Sequence, residues 1–437
     1  MAASVLHLPQ ELVDSIIEYV GDDRSTLCSC ALVSRSWLHS SRYHLFANIS
    51  LSPHIQGNIP PQQLCAQLYG VLQESPAIVP YIRSLQIFDG GLPPHRTAQW
   101  ISNERTLPPL LKLLTHLRQL ELSASSACNV IQWKSLPFTL QNAICTLLKL
   151  PSLTYLRLHS WTFPNLASIA AVLSSCQHLK CLSLSAVAVC EDLDNTHHSE
   201  PPDTIPNDEF SSGSDTANTR APTPSLEVLT LDYVNFGYLG YWLFAPPSPI
   251  SFSNLRELRI SHSADPLVVE QILLSIGPSL EHLHLKPGSW DVFPFDLRNN
   301  LNLKSLRLTL EVPETALSWC TTLLSSLSPS GFLNSLTHIS LEFFTDLKRL
   351  SASSPSTTTT VSPSTSPYHV PLKQVDIGLF AQPSHPDFVR VQEALGGIQK
   401  NDLKGSGAVR VYQLGLKSQR SFGRICGPRL RSFEGNN

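Results

Sequence analysis

A spacing of apolar residues, L-x-x-L-x-L, with Ile or Val in some of its positions, repeats along the chain from residue 82 onward. Its last two apolar positions are two residues apart, so they face the same side of a pleated strand. The pattern therefore predicts one short strand for each copy. The ten copies begin at Ile82, Leu117, Leu153, Leu179, Leu226, Leu255, Leu280, Leu303, Leu336 and Leu372.

Apolar residues at helical spacing lie between these strands. Asp265-Pro266 is a typical helix start, and apolar residues at helical spacing follow it as far as Gly277-Pro278, a typical helix end. Asn165 is a second candidate helix cap. Alternating strands and helices predict an α/β chain, and their repetition resembles a leucine-rich-repeat solenoid. In that fold parallel strands line one face and helices lie on the other side.

Two features depart from a regular leucine-rich repeat. The distance between the starts of successive copies varies from 23 residues (Leu280 to Leu303) to 47 residues (Leu179 to Leu226). The Asn or Cys that such repeats place three residues after the final Leu is also absent. We therefore expect an irregular array. The positions in question hold Ser125, Trp161, Val187 and Ser263.

The N-terminal stretch shows a different periodicity. A helix is predicted from about Pro9 to Val20, because apolar residues recur on two neighbouring stripes, Leu12/Ile16/Tyr19 and Val13/Ile17/Val20. A second helix is predicted with Ser25 as its N-cap, and a third from about Ser34. Helices this short are too small to bury all of these side chains, so part of the apolar surface should meet a partner.

The same stretch resembles a known docking motif. Leu8-Pro9-x-Glu11-Leu12 followed by Ile16-Ile17, and Leu32-Val33-Ser34-Arg35-x-Trp37 further on, are similar to the F-box, especially in its fungal versions. The resemblance implies a three-helix domain that docks on the Skp-type adaptor of a cullin-RING ubiquitin ligase. The alternative is an ordinary helical cap on the domain behind it. The resemblance implies positions that either pack against the adaptor or hold the three helices together. The adaptor-binding candidates at these positions are Leu8, Pro9, Leu12, Ile16, Val33 and Trp37.

These patterns divide the chain into an F-box at residues 1–50, a helical connector at 51–80 and a repeat domain at 81–437. Two insertions in the repeat domain are poor in apolar residues. Residues 190–223 are acidic and rich in Pro, Ser and Thr, and residues 351–367 are almost entirely Ser, Thr and Pro. We expect both insertions to be disordered, since neither buries enough apolar surface to order itself.

Charge and cysteine usage limit the partners and the compartment. The formal net charge of the chain is −3 at pH 7, so no overall basic field attracts nucleic acid or an anionic membrane. No apolar run is long enough to span a bilayer. The 10 cysteines are scattered without C-x-x-C pairs, which favours a reducing cytoplasmic or nuclear compartment.

No catalytic or cofactor-binding motif is present. The sequence lacks G-x-x-x-x-G-K-[ST], H-E-x-x-H and G-x-S-x-G, and no G-x-G-x-x-G follows a predicted strand. His197-His198 lies in the acidic insertion without further ligands at metal-binding spacing. We therefore expect no enzyme activity, no cofactor and no metal site.

The polar x positions of the repeat strands point away from the leucine core, onto the face that solenoids use for binding. From Arg259 to Arg307 these positions carry more cations than anions, which favours an acidic or phosphorylated protein target. The alternative is a solvated face of mixed charge. The target-binding candidates are Tyr155, Arg157, His159, Arg259, His284, Lys286 and Arg307.

Two functional hypotheses follow from the sequence. The first is a substrate-recognition subunit of an SCF-type ubiquitin ligase, which binds the adaptor through the F-box, a cullin through the adaptor, and the target through the repeats. The second is an F-box and repeat scaffold that works outside any ligase. The sequence identifies no target and does not separate the two.

Overall fold

The structure is a computed structural model that describes part of the chain. It covers residues 8–52, 59–90, 100–124, 130–190, 224–234, 250–263, 266–287, 297, 299–310, 336–343, 374–379 and 408–413. The acidic insertion after Cys190, with His197-His198, lies outside the described residues. So do residues 351–367, Asp265 and Ser125. The chain divides into two compact units, residues 1–255 and 256–437.

The first unit is built on a parallel sheet in which the strands follow one another almost in chain order. The sheet order is β1-β2-β3-β5-β6-β7, and β4 pairs with β5 beside the main path. The strands are β1 (Asn48–Leu51), β2 (Ser84–Asp89), β3 (Gln119–Ala124), β4 (Ile131–Gln132), β5 (Tyr155–Phe163), β6 (Cys181–Val189) and β7 (Val228–Asp232).

The second unit repeats this arrangement. Its strands are also parallel, and their order in the sheet is the order in the chain. They are β8 (Glu257–Ser263), β9 (His282–Pro287), β10 (Ser305–Leu310), β11 (His338–Phe343), β12 (Gln374–Leu379) and β13 (Ala408–Gln413).

Helices occupy several of the connections between strands, as parallel pairing requires. The helices in these connections are α4 (Pro61–Glu74), α5 (Trp100–Asn103), α6 (Leu107–Leu113), α7 (Phe138–Leu148), α8 (Leu166–Ser174) and α9 (Pro266–Ile276). Three further helices precede β1: α1 (Gln10–Tyr19), α2 (Arg24–Val33) and α3 (Arg35–Ala47). Short 3₁₀ segments cover Pro76–Tyr81, Trp133–Ser135 and Gly277–Ser279.

The predicted parallel α/β architecture is confirmed. Each of the ten copies of the repeated spacing supplies a strand. Where two of these strands pair, the last two apolar positions of one copy lie beside the same two positions of the next copy. Wherever the side chains of β2, β3 and β5 to β10 are described, the repeat positions are almost fully buried. Buried side chains of α6, α7, α8 and α9 complete the two cores.

The sheet begins earlier than the expected boundary at residue 81. Strand β1 starts at Asn48, directly after α3, and pairs with β2 in the same parallel register as the later strands. Its sequence has the repeat spacing with Phe46 in the first position and Ile49 and Leu51 in the last two. The expected connector at 51–80 does contain helix, in α4 and the 3₁₀ segment that follows it.

The position that usually holds Asn or Cys is apolar and buried in three consecutive repeats. Trp161, Val187 and Val234 are each almost fully inaccessible to solvent. The indole Nε1 of Trp161 donates a hydrogen bond of 3.0 Å to the carbonyl oxygen of Leu122 on β3. In that repeat a side-chain to backbone hydrogen bond is therefore kept, although the residue that makes it is aromatic.

Candidate functional site

The three N-terminal helices pack around a small core of their own. Val13 and Ile17 of α1 and Leu27 of α2 are buried together. Four partly buried residues surround this cluster: Val20, Cys30, Trp37 and Leu45. One of the two apolar stripes predicted on α1, Val13/Ile17/Val20, therefore faces inward.

The other apolar stripe of α1 faces solvent. Leu8 before the helix is 50% exposed, and Leu12 and Ile16 on it are 52% and 42% exposed. Pro9, the N-cap residue of α1, is exposed as well. At the end of α2, Val33 is 67% exposed. Five of the six residues that the F-box resemblance assigns to adaptor binding thus lie on the surface of these helices.

Trp37 is the sixth residue, and its surroundings are different. Its side chain is half-buried and packs against the core formed by Val13, Ile17 and Leu27. Most of its contact surface is therefore used within the protein. Trp37 therefore helps to hold the three helices together. The apolar surface that a partner could contact is formed by the exposed residues instead, such as Leu8, Leu12 and Ile16.

Hydrogen bonds fix the arrangement of the helices. Asp23, rather than the predicted Ser25, is the N-cap of α2, and its carboxylate accepts from the backbone N–H groups of Ser25 and Thr26 at 3.0 and 3.2 Å. The hydrogen bond from the Thr26 hydroxyl, followed by the backbone bond from Thr26 and the bonds from Ser25, lowers the pKa of Asp23 to about 2. Between α1 and α3, the Ser40 hydroxyl donates to the Asp14 carboxylate.

The helices are also joined to the sheet of the first unit without a linker. The last residue of α3, Ala47, accepts a backbone hydrogen bond of 3.0 Å from Arg83, just before β2. The Tyr81 hydroxyl lies 2.9 Å from Nδ1 of His39 on α3, and the two rings meet edge to face. The helices that carry the exposed stripe of α1 are therefore packed directly against the start of the sheet.

The polar face of the first unit holds three of the target-binding candidates on β5. Arg157 pairs with Glu121 of β3, with 3.4 Å between Nη1 and Oε1, and most of its side chain is covered. Tyr155 and His159 are half-buried on either side of it. Burial lowers the pKa of His159, helped by the charge of Arg157 and opposed by that of Asp232.

The polar face of the second unit brings the other four candidates together. Arg259, His284 and Arg307 occupy paired positions on β8, β9 and β10, and Lys286 lies two residues beyond His284. Residues in register on parallel strands project from the same face at intervals of about 4.8 Å. The four side chains therefore form one basic cluster, which we call the β8–β10 cluster.

Two carboxylates accompany this cluster. Glu257 accepts from Nε of Arg259 at 2.6 Å and lies 2.6 Å from its Nη2. Glu342 on β11 accepts from Nη2 of Arg307 at 2.5 Å. The positive charge expected from the sequence is thus partly balanced on the same face.

His284 is held in one defined state. Its Nε2 lies 3.1 Å from the Thr309 hydroxyl, which donates its own hydrogen to the Glu342 carboxylate at 3.1 Å. A hydroxyl has one hydrogen to give, so Nε2 of His284 must be the donor to Thr309. Burial lowers the pKa of His284 to about 3, and the charges of Arg307, Arg259 and Lys286 act in the same direction. The ring is therefore neutral at physiological pH.

Two members of this network were absent from the sequence-based candidates, Thr309 and Glu342. Both follow the last apolar position of a repeat, Leu308 and Leu341, and so point to the same face as the x positions two residues before them. That alternation is the signal that identifies them. The candidates His159 and Lys286 already stand at this position, so using it in every repeat would have included Thr309 and Glu342 as well.

Within the described part of the chain, no three His, Cys, Asp or Glu side chains are grouped so that they could hold a metal ion. No helix among these residues is long and apolar enough to cross a membrane. The arrangement can offer apolar side chains on α1 and charged, hydrogen-bonding side chains on the strand faces.

Comparisons with known proteins add little to this description. No protein-family model matches the sequence. No curated protein matches it. Among solved structures, the crystal structure of an internalin from Listeria monocytogenes is similar, with a TM-score of 0.30 and 13% sequence identity over 82% of this chain and 92% of the internalin chain. A TM-score this low carries no argument, so the description of the fold rests on the strand register and the repeated sequence.

Proposed function

We propose that this chain is a substrate-recognition subunit of an SCF-type cullin-RING ubiquitin ligase. The N-terminal helices dock on a Skp-type adaptor, which links them to a cullin, and the polar strand faces hold the target protein. The compartment would be the cytoplasm, the nucleus or both. Such a subunit makes and breaks no bonds, and accelerates transfer by raising the effective concentration of the target near the conjugating enzyme.

The observation that carries the proposal is the division of apolar residues on α1. Val13 and Ile17 belong to the helical core, whereas Leu12 and Ile16 of the same helix, together with Leu8, are exposed. An apolar stripe of this kind on a helix suits a groove on a partner. Its residues are the ones for which the F-box resemblance implies adaptor contact.

The proposal is tested by placing charges on the exposed stripe. The variant Leu12→Asp/Ile16→Asp should fold normally, because neither side chain belongs to the core, and should lose adaptor binding by at least about a hundredfold. Each buried Leu or Ile in an interface is worth roughly 1.5–3 kcal/mol, and a carboxylate in its place adds a desolvation cost. Co-purification of the adaptor with the tagged full-length chain measures the effect.

The matched control is Leu274→Asp on α9. Leu274 is 49% exposed, close to the value for Leu12, and belongs to the second unit. It should leave adaptor binding unchanged, which separates the docking stripe from a general loss of exposed apolar surface. If the Leu12→Asp/Ile16→Asp chain is folded and the adaptor still co-purifies with it, the proposal is wrong.

The alternative function is an interaction scaffold that keeps the adaptor but works outside a ligase. The exposed stripe supports adaptor docking in both cases, so the cullin decides between them. Cullin that co-purifies with the wild-type chain, and is lost with the adaptor in Leu12→Asp/Ile16→Asp, favours the ligase subunit. Adaptor without cullin favours the scaffold.

A further inference from the structure

The segments that lead into the strands of the first unit are rich in cations. Because the strands are parallel, the segments before β2, β3, β5 and β6 all arrive at the same edge of the sheet. They are residues 75–83, 112–118, 149–154 and 175–180, and none of them contains Asp or Glu. Their basic residues are Arg83, Lys112, Arg118, Lys149 and Lys180.

The position directly before each strand shows how charges at this edge are balanced elsewhere. Lys180 and Glu227 hold this position before β6 and β7, and their side chains pair at 2.8 Å between Nζ and Oε1. In the second unit, Glu281 and Lys304 hold it before β9 and β10, and they pair at 2.7 Å between Oε2 and Nζ. In both units, neighbouring strands therefore place opposite charges at this position.

Arg83 and Arg118 depart from this arrangement. They hold the same position before β2 and β3, where the carbonyl oxygen of Arg83 accepts from the backbone N–H of Arg118 at 2.7 Å. The two residues are thus neighbours across one strand spacing, about 4.8 Å. Like charges that face each other on neighbouring strands are destabilising. The protein keeps this repulsion, and no carboxylate in the leading segments offsets it.

The two guanidinium groups differ in how firmly they are held. Nη1 of Arg83 donates a long hydrogen bond of 3.4 Å to the carbonyl oxygen of His116, and Nε of Arg83 is buried without an acceptor among the described residues. The Arg118 side chain is exposed, and the described part of the chain provides no acceptor for it. Arg83 is therefore held close to the protein, and Arg118 is open to a ligand.

Two exposed lysines add to the charge of this edge. Lys112 lies in the last turn of α6, and Lys149 is the C-cap residue of α7. The helix dipole favours a cation at the C-terminal end of a helix, which explains both lysines without any ligand. It does not explain Arg83 and Arg118, which stand at the starts of strands. We call these four residues the basic edge.

We infer that the basic edge binds a short acidic segment of a partner protein, a run of Asp and Glu residues in extended conformation. Carboxylates suit this edge because a guanidinium group binds them through two parallel hydrogen bonds. From the segment of Arg83 to the segment of Lys149 is two strand spacings, about 10 Å, which about three residues of extended chain cover. The edge is distinct from the exposed stripe of α1 and from the polar strand faces, so this inference does not depend on the proposed function.

A nucleic acid fits the basic edge less well. Tight binding of nucleic acid uses many phosphate contacts in a continuous row. Here the row is interrupted, because Thr154 stands before β5 and the next cation, Lys180, is already paired with Glu227. The formal net charge of −3 also provides no long-range attraction for a polyanion.

The experiment uses the purified full-length chain and two fluorescent peptides that differ only in four central residues, glutamate in one and glutamine in the other. We expect the glutamate peptide to bind at least about tenfold more tightly in about 50 mM salt, and the difference should shrink as the salt concentration rises. Arg118→Glu should weaken binding of the glutamate peptide at least about tenfold, since it replaces an attraction by a repulsion. Arg118→Gln should weaken it by about threefold or more.

Thermal unfolding of the same variants provides a second readout. Arg118→Glu places opposite charges before β2 and β3, as they already are before β6 and β7, so it should raise the unfolding midpoint while peptide binding is lost. A residue with a purely structural role would lose both together. The matched control is Arg105→Glu, which reverses an exposed arginine just before α6, at the opposite edge of the same unit. It should leave peptide binding unchanged.

Several results would overturn the inference: equal binding of the two peptides, equal losses in Arg118→Glu and Arg105→Glu, or a lower unfolding midpoint in Arg118→Glu. Binding of a single-stranded oligonucleotide that depends on Arg118, without binding of the glutamate peptide, would assign the edge to nucleic acid instead. Binding of the glutamate peptide only after residues 190–223 are replaced by a neutral linker would assign it to the acidic segment of this chain, and not to a partner.

Discussion

The indole of Trp161 on β5 and the backbone carbonyl of Leu122 on β3 are joined by a buried hydrogen bond of 3.0 Å. Trp161 also stacks with Phe163, and Trp133 stacks on the same ring. The aromatic side chain thus fills space and satisfies a polar backbone atom, two tasks that a small polar residue could not combine at this position.

Trp161→Phe separates these tasks, because it keeps an aromatic ring and removes the donor. We expect the free energy of unfolding to fall by about 2 kcal/mol, since the Leu122 carbonyl loses its side-chain partner and a small cavity remains. Urea unfolding followed by circular dichroism measures it. Trp133→Phe, on the half-buried ring beside it, is the control and should cost clearly less. Equal losses in both variants would assign the effect to packing alone.

A second prediction concerns the backbone after the strand leucines. Ser160, Ala186, Tyr233 and His262 each stand two residues after the last repeat Leu or Ile, and all have positive φ angles, between 49° and 59°. For a residue with a Cβ this conformation costs roughly 1 kcal/mol. Four repeats therefore share a left-handed residue at the same position, and in none of the four is it a glycine.

Ala186→Gly should relieve this strain and stabilise the first unit by about 0.5 kcal/mol, because glycine adopts positive φ freely. Ala188→Gly, on the same strand but without a positive φ, is the matched control and should destabilise by about 0.5–1 kcal/mol. Thermal unfolding of the two variants compares them directly. The explanation fails if both substitutions shift the midpoint in the same direction.

Some elements of the structure could be predicted from the sequence and others could not. The ten strands were predictable because period-two burial on a sheet leaves a repeating mark. Strand β1 was missed because Phe46 replaces Leu in its first position, although the spacing is intact. Strand alternation could have placed Glu342 on the polar face. Its pairing with Arg307, 35 residues away, depends on the contact between two strands, which the spacing within one strand does not determine.

The N-terminal helices illustrate the same limit. Both apolar stripes of α1 were visible in the sequence, and their periodicity is identical. Which stripe faces inward depends on how α2 and α3 pack against it. The structure assigns Val13 and Ile17 to the core and Leu12 and Ile16 to the surface, and places Trp37 with the former.

A third prediction concerns pH. Burial raises the pKa of the Asp89 carboxyl, at the end of β2, to about 6, and backbone N–H groups of Ile101, Trp100 and Gly90 oppose this only in part. In the unfolded chain the pKa is near 3.9. The folded state therefore binds this proton more tightly. The stabilisation from Asp89 is fully present below about pH 4 and is lost as the pH rises through about 6.

Asp89→Asn removes this titration. The difference in unfolding free energy, variant minus wild type, should grow between pH 5 and pH 8 in favour of the variant, by about 1.4 kcal/mol. Urea unfolding of both proteins at several pH values measures it, and taking the difference cancels every group that both proteins share. A difference that does not change with pH would show that Asp89 is already ionised at pH 5.

The final prediction separates the structural and docking residues of the N-terminal helices. Trp37→Ala should destabilise these helices by roughly 2–4 kcal/mol, because the lost indole leaves a cavity beside Val13, Ile17 and Leu27. Leu12→Ala should change their stability by less than about 0.5 kcal/mol, since the side chain is half exposed. Hydrogen exchange of residues 10–47 reports this local stability.

In adaptor binding, Leu12→Ala should weaken the complex although the helices stay folded, whereas Trp37→Ala should weaken it only as far as the helices unfold. If Leu12→Ala increases hydrogen exchange as much as Trp37→Ala does, Leu12 is needed to keep the helices folded. The exposed stripe would then be a structural element rather than a docking surface.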